Sequence, residues 1–167
     1  MRRISLALAL AGLIAVAPHA PSVAAPTLGP IYQHSDWLSS RVSGANLEGK
    51  VVLVDVFTFG CGNCQNVVPN LRALYKAHRE NLAIVGVHTP ETPYERVREN
   101  VRTSLASQGI VWPVAIDNDN ALWNAYGVDA WPTQLFFDKH GRWRKTIVGD
   151  SQDADVNAEV NALLAER

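Results

Sequence analysis

Between Lys50 and Gly60 the chain reads VVLVDVFTF, nine residues that are apolar or β-branched except for Asp55. The run does not alternate apolar and polar positions, so a strand built from it is buried on both faces. Strands of that kind lie in the middle of a sheet with helices packed on either side. This one run confines the chain to an α/β architecture. It also ends at a glycine that is followed at once by both cysteines of the chain, Cys61 and Cys64.

The remaining segments fit that architecture. Residues 62–80 place Val67, Val68, Leu71, Leu74, Tyr75 and His78 at helical spacing, with Pro69 inside. LAIVGVH, 82–88, reads as a second buried strand. Residues 93–107 predict a helix, with Val97, Val101 and Leu105 four apart and Pro93 near its start. VWPVAI, 111–116, reads as a short strand, and Asp117 to Asp119 as the cap of a short helix through Trp123 and Tyr126. TQLFFD (133–138), the turn KHG and WRKTIVG (143–149) predict a hairpin. Val156, Val160 and Leu163 mark a closing helix over 152–165. The order is βαβ, an extra αβα, then ββα, which predicts a sandwich around a mixed sheet. The 167 residues, 47% hydrophobic and 19% charged, suit one domain. We place it at 37–167, after a loose lead-in over 25–36. A net charge of −1 with no basic run gives no footprint for nucleic acid.

The first residues predict a targeting segment, 1–24. Arg2 and Arg3 form a positive start, Ile4 to Ala17 an apolar stretch too short for a comfortable membrane span, and Ser22-Val23-Ala24 a small-residue cleavage site. The alternative is an uncleaved anchor. Either way the expected location is outside the cytoplasm, periplasmic or secreted, where disulfides persist.

Two cysteines three apart, at a strand-to-helix join beside a βαβ pattern, point to redox chemistry. A structural disulfide closing so short a loop removes little chain entropy. A structural zinc site needs about four ligands, and no second C-x-x-C is present. We therefore expect no metal, and no cofactor beyond the redox-active Cys61–Cys64 pair itself. At a helix start, the sulfur of Cys61 faces unpaired N–H groups and the positive end of the helix dipole, which favours the thiolate. Cys64 lies one turn in and is expected to be more buried. Asp55, six residues before Cys61, is a candidate to take the proton that Cys64 must lose.

VDVFTFGCGNC resembles the active-site segment of thioredoxin, in which a buried Asp also lies six residues before the first Cys. YGVDAWPTQLFFDKHGRWRKTIVGD resembles the thioredoxin region that holds the active-site cis-proline. The resemblance runs from about Trp37 to the C-terminus. The segment between Thr89 and Tyr126 resembles the insertion of the TlpA/ResA branch. VGVHTPE and WPVAIDNDNALWNAYG are similar to the extracytoplasmic thioredoxin domain of DipZ-type proteins. The resemblance implies a thioredoxin fold, a mixed central sheet flanked by helices, with a TlpA-type αβ(α) insertion between the βαβ and ββα halves. It implies a thiol-disulfide oxidoreductase, expected to act as a reductase of protein disulfides, with Cys61, Cys64 and Asp55 catalytic. By the same resemblance Pro132 is the cis-proline, and Trp131, Pro132 and Thr133, with Gly62 and Asn63, bind the partner protein. The expected electron donor is a separate membrane protein, and the expected state a monomer. Two positions depart from thioredoxin: Gly60 replaces a tryptophan, and Gly62-Asn63 replaces Gly-Pro. They suggest a poise near or moderately above thioredoxin's.

Other residues carry weaker signals. His88 ends a strand near Cys61 and is a candidate to tune it. Glu91 and Glu95 fit a solvated face or a charged helix start, with an extra acid near the site as the alternative. His34, His78 and His140 read as surface. Thr58, three before Cys61, allows the alternative of a thiol peroxidase. The two thiols with His88 allow that of a copper-binding module.

Overall fold

A computed structural model describes residues 25–167; the segment 1–24 lies outside the described residues. Five strands form one sheet in the order β3-β2-β1-β4-β5. They are β1 (Val51–Phe57), β2 (Leu82–His88), β3 (Val114–Ile116), β4 (Thr133–Phe137) and β5 (Trp143–Val148). β1, β2 and β3 run parallel, and β4 and β5 are antiparallel to their neighbours. Helices α1 (Gly29–Gln33), α2 (Gly44–Leu47), α3 (Gly62–His78), α4 (Arg98–Gln108), α5 (Ala121–Ala125) and α6 (Asp153–Ala165) flank the sheet.

All seven residues of β1 are buried, as the unbroken apolar run requires. Successive side chains of a strand point to opposite faces, and two cores result. Val51, Leu53 and Phe57 pack with Val67, Leu71, Val156 and Val160 of α3 and α6. Val52, Val54 and Val56 pack with Leu28, Ile31 and Leu122 on the other side. Asp55 shares the parity of Leu53 and Phe57, so it lies on the face that α3 covers.

Four expectations need correction. The lead-in is not loose. Leu28 and Ile31, three apart, form an apolar edge on α1, and Ile31 is wholly buried. His34, expected at the surface, is half-buried, and its Nε2 lies 3.0 Å from the carbonyl of Ile116. Trp37 forms an isolated antiparallel bridge to Ala115 of β3. The helix expected over 93–107 is two pieces: a single 3₁₀ turn, Pro93–Arg96, then α4, with Val97 extended between them. Thr92 and Glu95 make a capping box that closes the first turn on itself. The strand expected over 111–116 is only β3, because Pro113 has no N–H to give the ladder.

Asp117 acts as the expected cap. Its carboxylate accepts from the backbone N–H of Leu122 and Trp123 and from the Thr89 hydroxyl, at 2.8–2.9 Å. In the hairpin turn, the buried Asp138 accepts from the N–H of His140 and of Arg142, at 2.9 and 3.0 Å, and from Arg142 Nε at 2.8 Å. Asp138→Ala leaves two turn amides without that acceptor and is expected to lower unfolding stability by about 1–3 kcal/mol in urea titration.

Candidate active site

The site forms where β1 stops and α3 begins. After Phe57 the chain turns through Thr58, Phe59 and Gly60 and enters the helix at Cys61. Cys61 is the N-cap of α3, with extended backbone, and its Sγ accepts a hydrogen bond from the Cys64 N–H at 3.2 Å. A sulfur with no side-chain oxygen thereby does what Ser or Asp does at an ordinary helix start. Such a bond, reinforced by the dipole of a seventeen-residue helix, stabilises negative charge on sulfur. Both cysteines are free thiols; Cys61 is half-buried and Cys64 is 2% exposed. Gly62 and Asn63 are exposed between them.

Burial pushes the Cys64 thiol far above the ordinary range, and the hydrogen bond to Cys61 raises it further, while a backbone hydrogen bond from Thr58 opposes this. Asp55 contributes an electrostatic push in the same upward direction, so the two groups feel each other. Asp55 itself is 2% exposed, and burial lifts its pKa from 3.8 to about 7, against the neighbouring Gln134 amide, which pulls it down. Gln134 is 1% exposed and sits directly opposite Asp55 in the β1–β4 ladder.

The bond between Trp131 and Pro132 is cis. Thr133, which opens β4, pairs with Val56, so Pro132 lies at the end of the sheet where β1 gives way to Cys61. The Thr133 hydroxyl donates to the Ala130 carbonyl at 2.8 Å and fixes the turn. Trp131 is half-buried and packs on Trp123 of α5, with ring centroids 4.5 Å apart. The inserted segment therefore supplies one wall of the site.

His88 is placed differently from the sequence expectation. It is wholly buried and stacked on Phe59, with centroids 5.4 Å apart. Its Nε2 lies 3.3 Å from the Thr58 hydroxyl. Burial lowers its pKa to about 4, with the charge of Glu95 pulling the other way, so the imidazole is neutral at pH 7. His88 thus reaches the site through Thr58 and Phe59 rather than by a bond to a sulfur. The Thr58 hydroxyl that the peroxidase pattern would use is turned to this histidine.

Two residues beside the site were not singled out by the sequence. Gln134 carries no signal until strand register puts it opposite Asp55. Glu95 did carry one, the T-x-x-E capping box. It is not a solvated charge but a buried one, 4% exposed. Glu91, by contrast, is exposed as expected.

Comparison with known proteins agrees with this fold. Residues 32–164 match the Redoxin family model. The chain is 40% identical over 120 residues to Protein DipZ of Mycobacterium tuberculosis, a match covering 71% of this chain and 17% of that protein. The chain thus corresponds to a minor part of that relative's length. It is 28% identical over 131 residues to the thiol-disulfide oxidoreductase YkuV of Bacillus subtilis, covering 78% of this chain and 88% of that one. Among solved structures, a thioredoxin-like protein in its oxidised form superposes with a TM-score of 0.76 at 25% identity, over 84% of this chain and 96% of that one.

Proposed function

This chain belongs to the Redoxin family, in its TlpA/ResA-type thioredoxin-like branch, and from that premise we propose that it is a thiol-disulfide oxidoreductase working through Cys61 and Cys64. The observation that carries the reading is the asymmetry of the pair. One sulfur is partly open at a helix N-terminus and accepts an N–H; the other is buried one turn behind it with a carboxyl on its face of the sheet.

The reaction follows from that asymmetry. The Cys61 thiolate attacks one sulfur of a partner disulfide. The partner S–S bond breaks, a mixed disulfide forms, and the released partner thiolate takes a proton from water. Cys64 then gives its proton to ionised Asp55 and attacks the Cys61 sulfur. The second partner sulfur leaves as a thiolate and is protonated. The partner has gained two electrons and two protons, and this chain holds a Cys61–Cys64 disulfide. The half-buried Trp131 and the exposed Gly62 and Asn63 form the surface on which an extended partner segment lies; Pro132 and Thr133, expected to bind the partner directly, are buried and shape that surface from beneath. A membrane protein outside this chain returns the two electrons. The N-terminal sequence supports a place outside the cytoplasm, with no cofactor beyond the cysteines.

Reduced protein is expected to precipitate insulin by cleaving its disulfides. Its equilibrium with glutathione should give a potential of roughly −270 to −180 mV, a reductase's range. Failure to reduce insulin overturns the reading. A potential near that of the oxidant DsbA, about −120 mV, reverses the direction of electron flow. Mass measurement of protein recovered from a secreting host is expected to show a chain beginning at Ala25.

A further inference from the structure

Glu95 belongs to the inserted segment, far in sequence from the cysteines, yet its carboxylate is built into the loop that carries Cys61. Oε1 accepts the Gly60 N–H at 3.2 Å. Oε2 accepts the N–H groups of Glu91 and Thr92 at 2.7 and 2.8 Å. The side chain is 4% exposed. Burial alone would raise its pKa, but the hydrogen bonds from the Thr92 and Glu91 amides outweigh it and hold the carboxyl below the usual glutamate range. A full negative charge thus sits beside the residue that precedes Cys61.

The same loop is gripped elsewhere by the inserted segment. Tyr94 meets Phe59 edge to face, with centroids 6.0 Å apart. Gly60 itself records the closeness of the carboxylate. A Cβ built on Gly60 would overlap Oε1 of Glu95, and the three atoms nearest that Cβ all belong to Glu95. Gly60 is not among the positive-φ glycines, so what bars a side chain there is the carboxylate.

We propose that Glu95 is a positioning residue for the redox pair: it fixes the Thr58–Gly60 loop from the inserted segment and opposes the thiolate of Cys61, so that the pair is held more reducing than its helix start alone would make it. The proposal rests on the redox reading above. The carboxylate takes the Gly60 N–H as donor and adds a like charge at short range, and both act against an anionic sulfur. A less stable thiolate means a less stable dithiol, which gives up electrons more readily.

Glu95→Gln keeps the shape and removes the charge. It is expected to move the glutathione equilibrium at least threefold toward the dithiol; a tenfold move corresponds to about 30 mV. Gly60→Ala forces the carboxylate off the loop and is expected to shift the equilibrium in the same direction. Glu91→Gln, exposed beside it, should leave the equilibrium within a factor of two. If Glu95→Gln folds and matches the wild type, the proposal is overturned; if it does not fold, an unshifted Gly60→Ala overturns it alone. A wild-type protein that shows no dithiol–disulfide equilibrium with glutathione refutes the redox reading instead, so the two failures are told apart.

Discussion

Cys64→Ser is expected to accumulate covalent complexes with disulfide-bearing proteins, while Cys61→Ser forms none and loses insulin reduction altogether. The difference follows from where the sulfurs sit. Cys61 is half-buried at the helix start, in reach of a partner, whereas Cys64 is 2% exposed behind it. With serine at 64, attack by Cys61 still produces the mixed disulfide, and nothing displaces the captured partner. With serine at 61, the remaining thiol is both inaccessible and held protonated, because burial pushes its pKa up. Turnover should fall by several orders of magnitude in each case, but only one variant should trap. Non-reducing gels after incubation with a disulfide-containing protein read the result directly. Trapping by Cys61→Ser in place of Cys64→Ser would reverse the assigned roles.

Asp55→Asn is expected to slow release of the mixed disulfide by about 10²-fold or more while making the fold more stable at alkaline pH. The kinetic effect is that of losing a general base. Burial raises the carboxyl to a pKa of about 7. Below that pH Asp55 already holds a proton and cannot take one from Cys64. Release should therefore speed up as pH rises through about 7 in the wild type and lose that inflection in Asp55→Asn. The stability effect has the opposite sign. Asp55 keeps its proton in the fold to about pH 7, whereas the unfolded chain loses it near 3.8. Between those values the folded state binds more protons, so wild-type stability falls as pH rises from about 4 to beyond 7. The loss is on the order of a few kcal/mol. Asp55→Asn escapes it. Urea titrations should coincide at pH 4 and diverge at pH 8 in favour of the variant; equal stability at pH 8 contradicts a carboxyl kept neutral by burial.

Much of this molecule was legible in the sequence because its signals are local. An unbroken apolar run gives a central strand, and helical spacing of Val67, Leu71 and Leu74 gives the helix behind the cysteines. The cis bond at Pro132 came from resemblance and not from any property of Trp131-Pro132-Thr133 taken alone. What was illegible depends on contacts between distant segments. Nothing near Gln134 shows that it faces Asp55, since this needs the register of β1 against β4. His88 looked like a strand-end residue, and its burial under Phe59 depends on how the following loop folds back. The exchange of thioredoxin's tryptophan for Gly60 had no explanation in sequence; in the structure the space is filled by Glu95, thirty-five residues on. The lead-in was misread because Pro, Gly and His suggest a loop, whereas Leu28 and Ile31 are what fix it.

The bridge between Trp37 and Ala115 occupies the outer side of β3, so one rim of the sheet is already paired within the chain. The other rim is β5, where Arg144 is exposed and Lys145 half-exposed. Positive charges of this kind disfavour edge-to-edge addition of a second copy. Concentrated protein should then resist strand-mediated self-association at neutral pH, and replacement of those two residues by neutral ones is where a tendency to aggregate would first emerge.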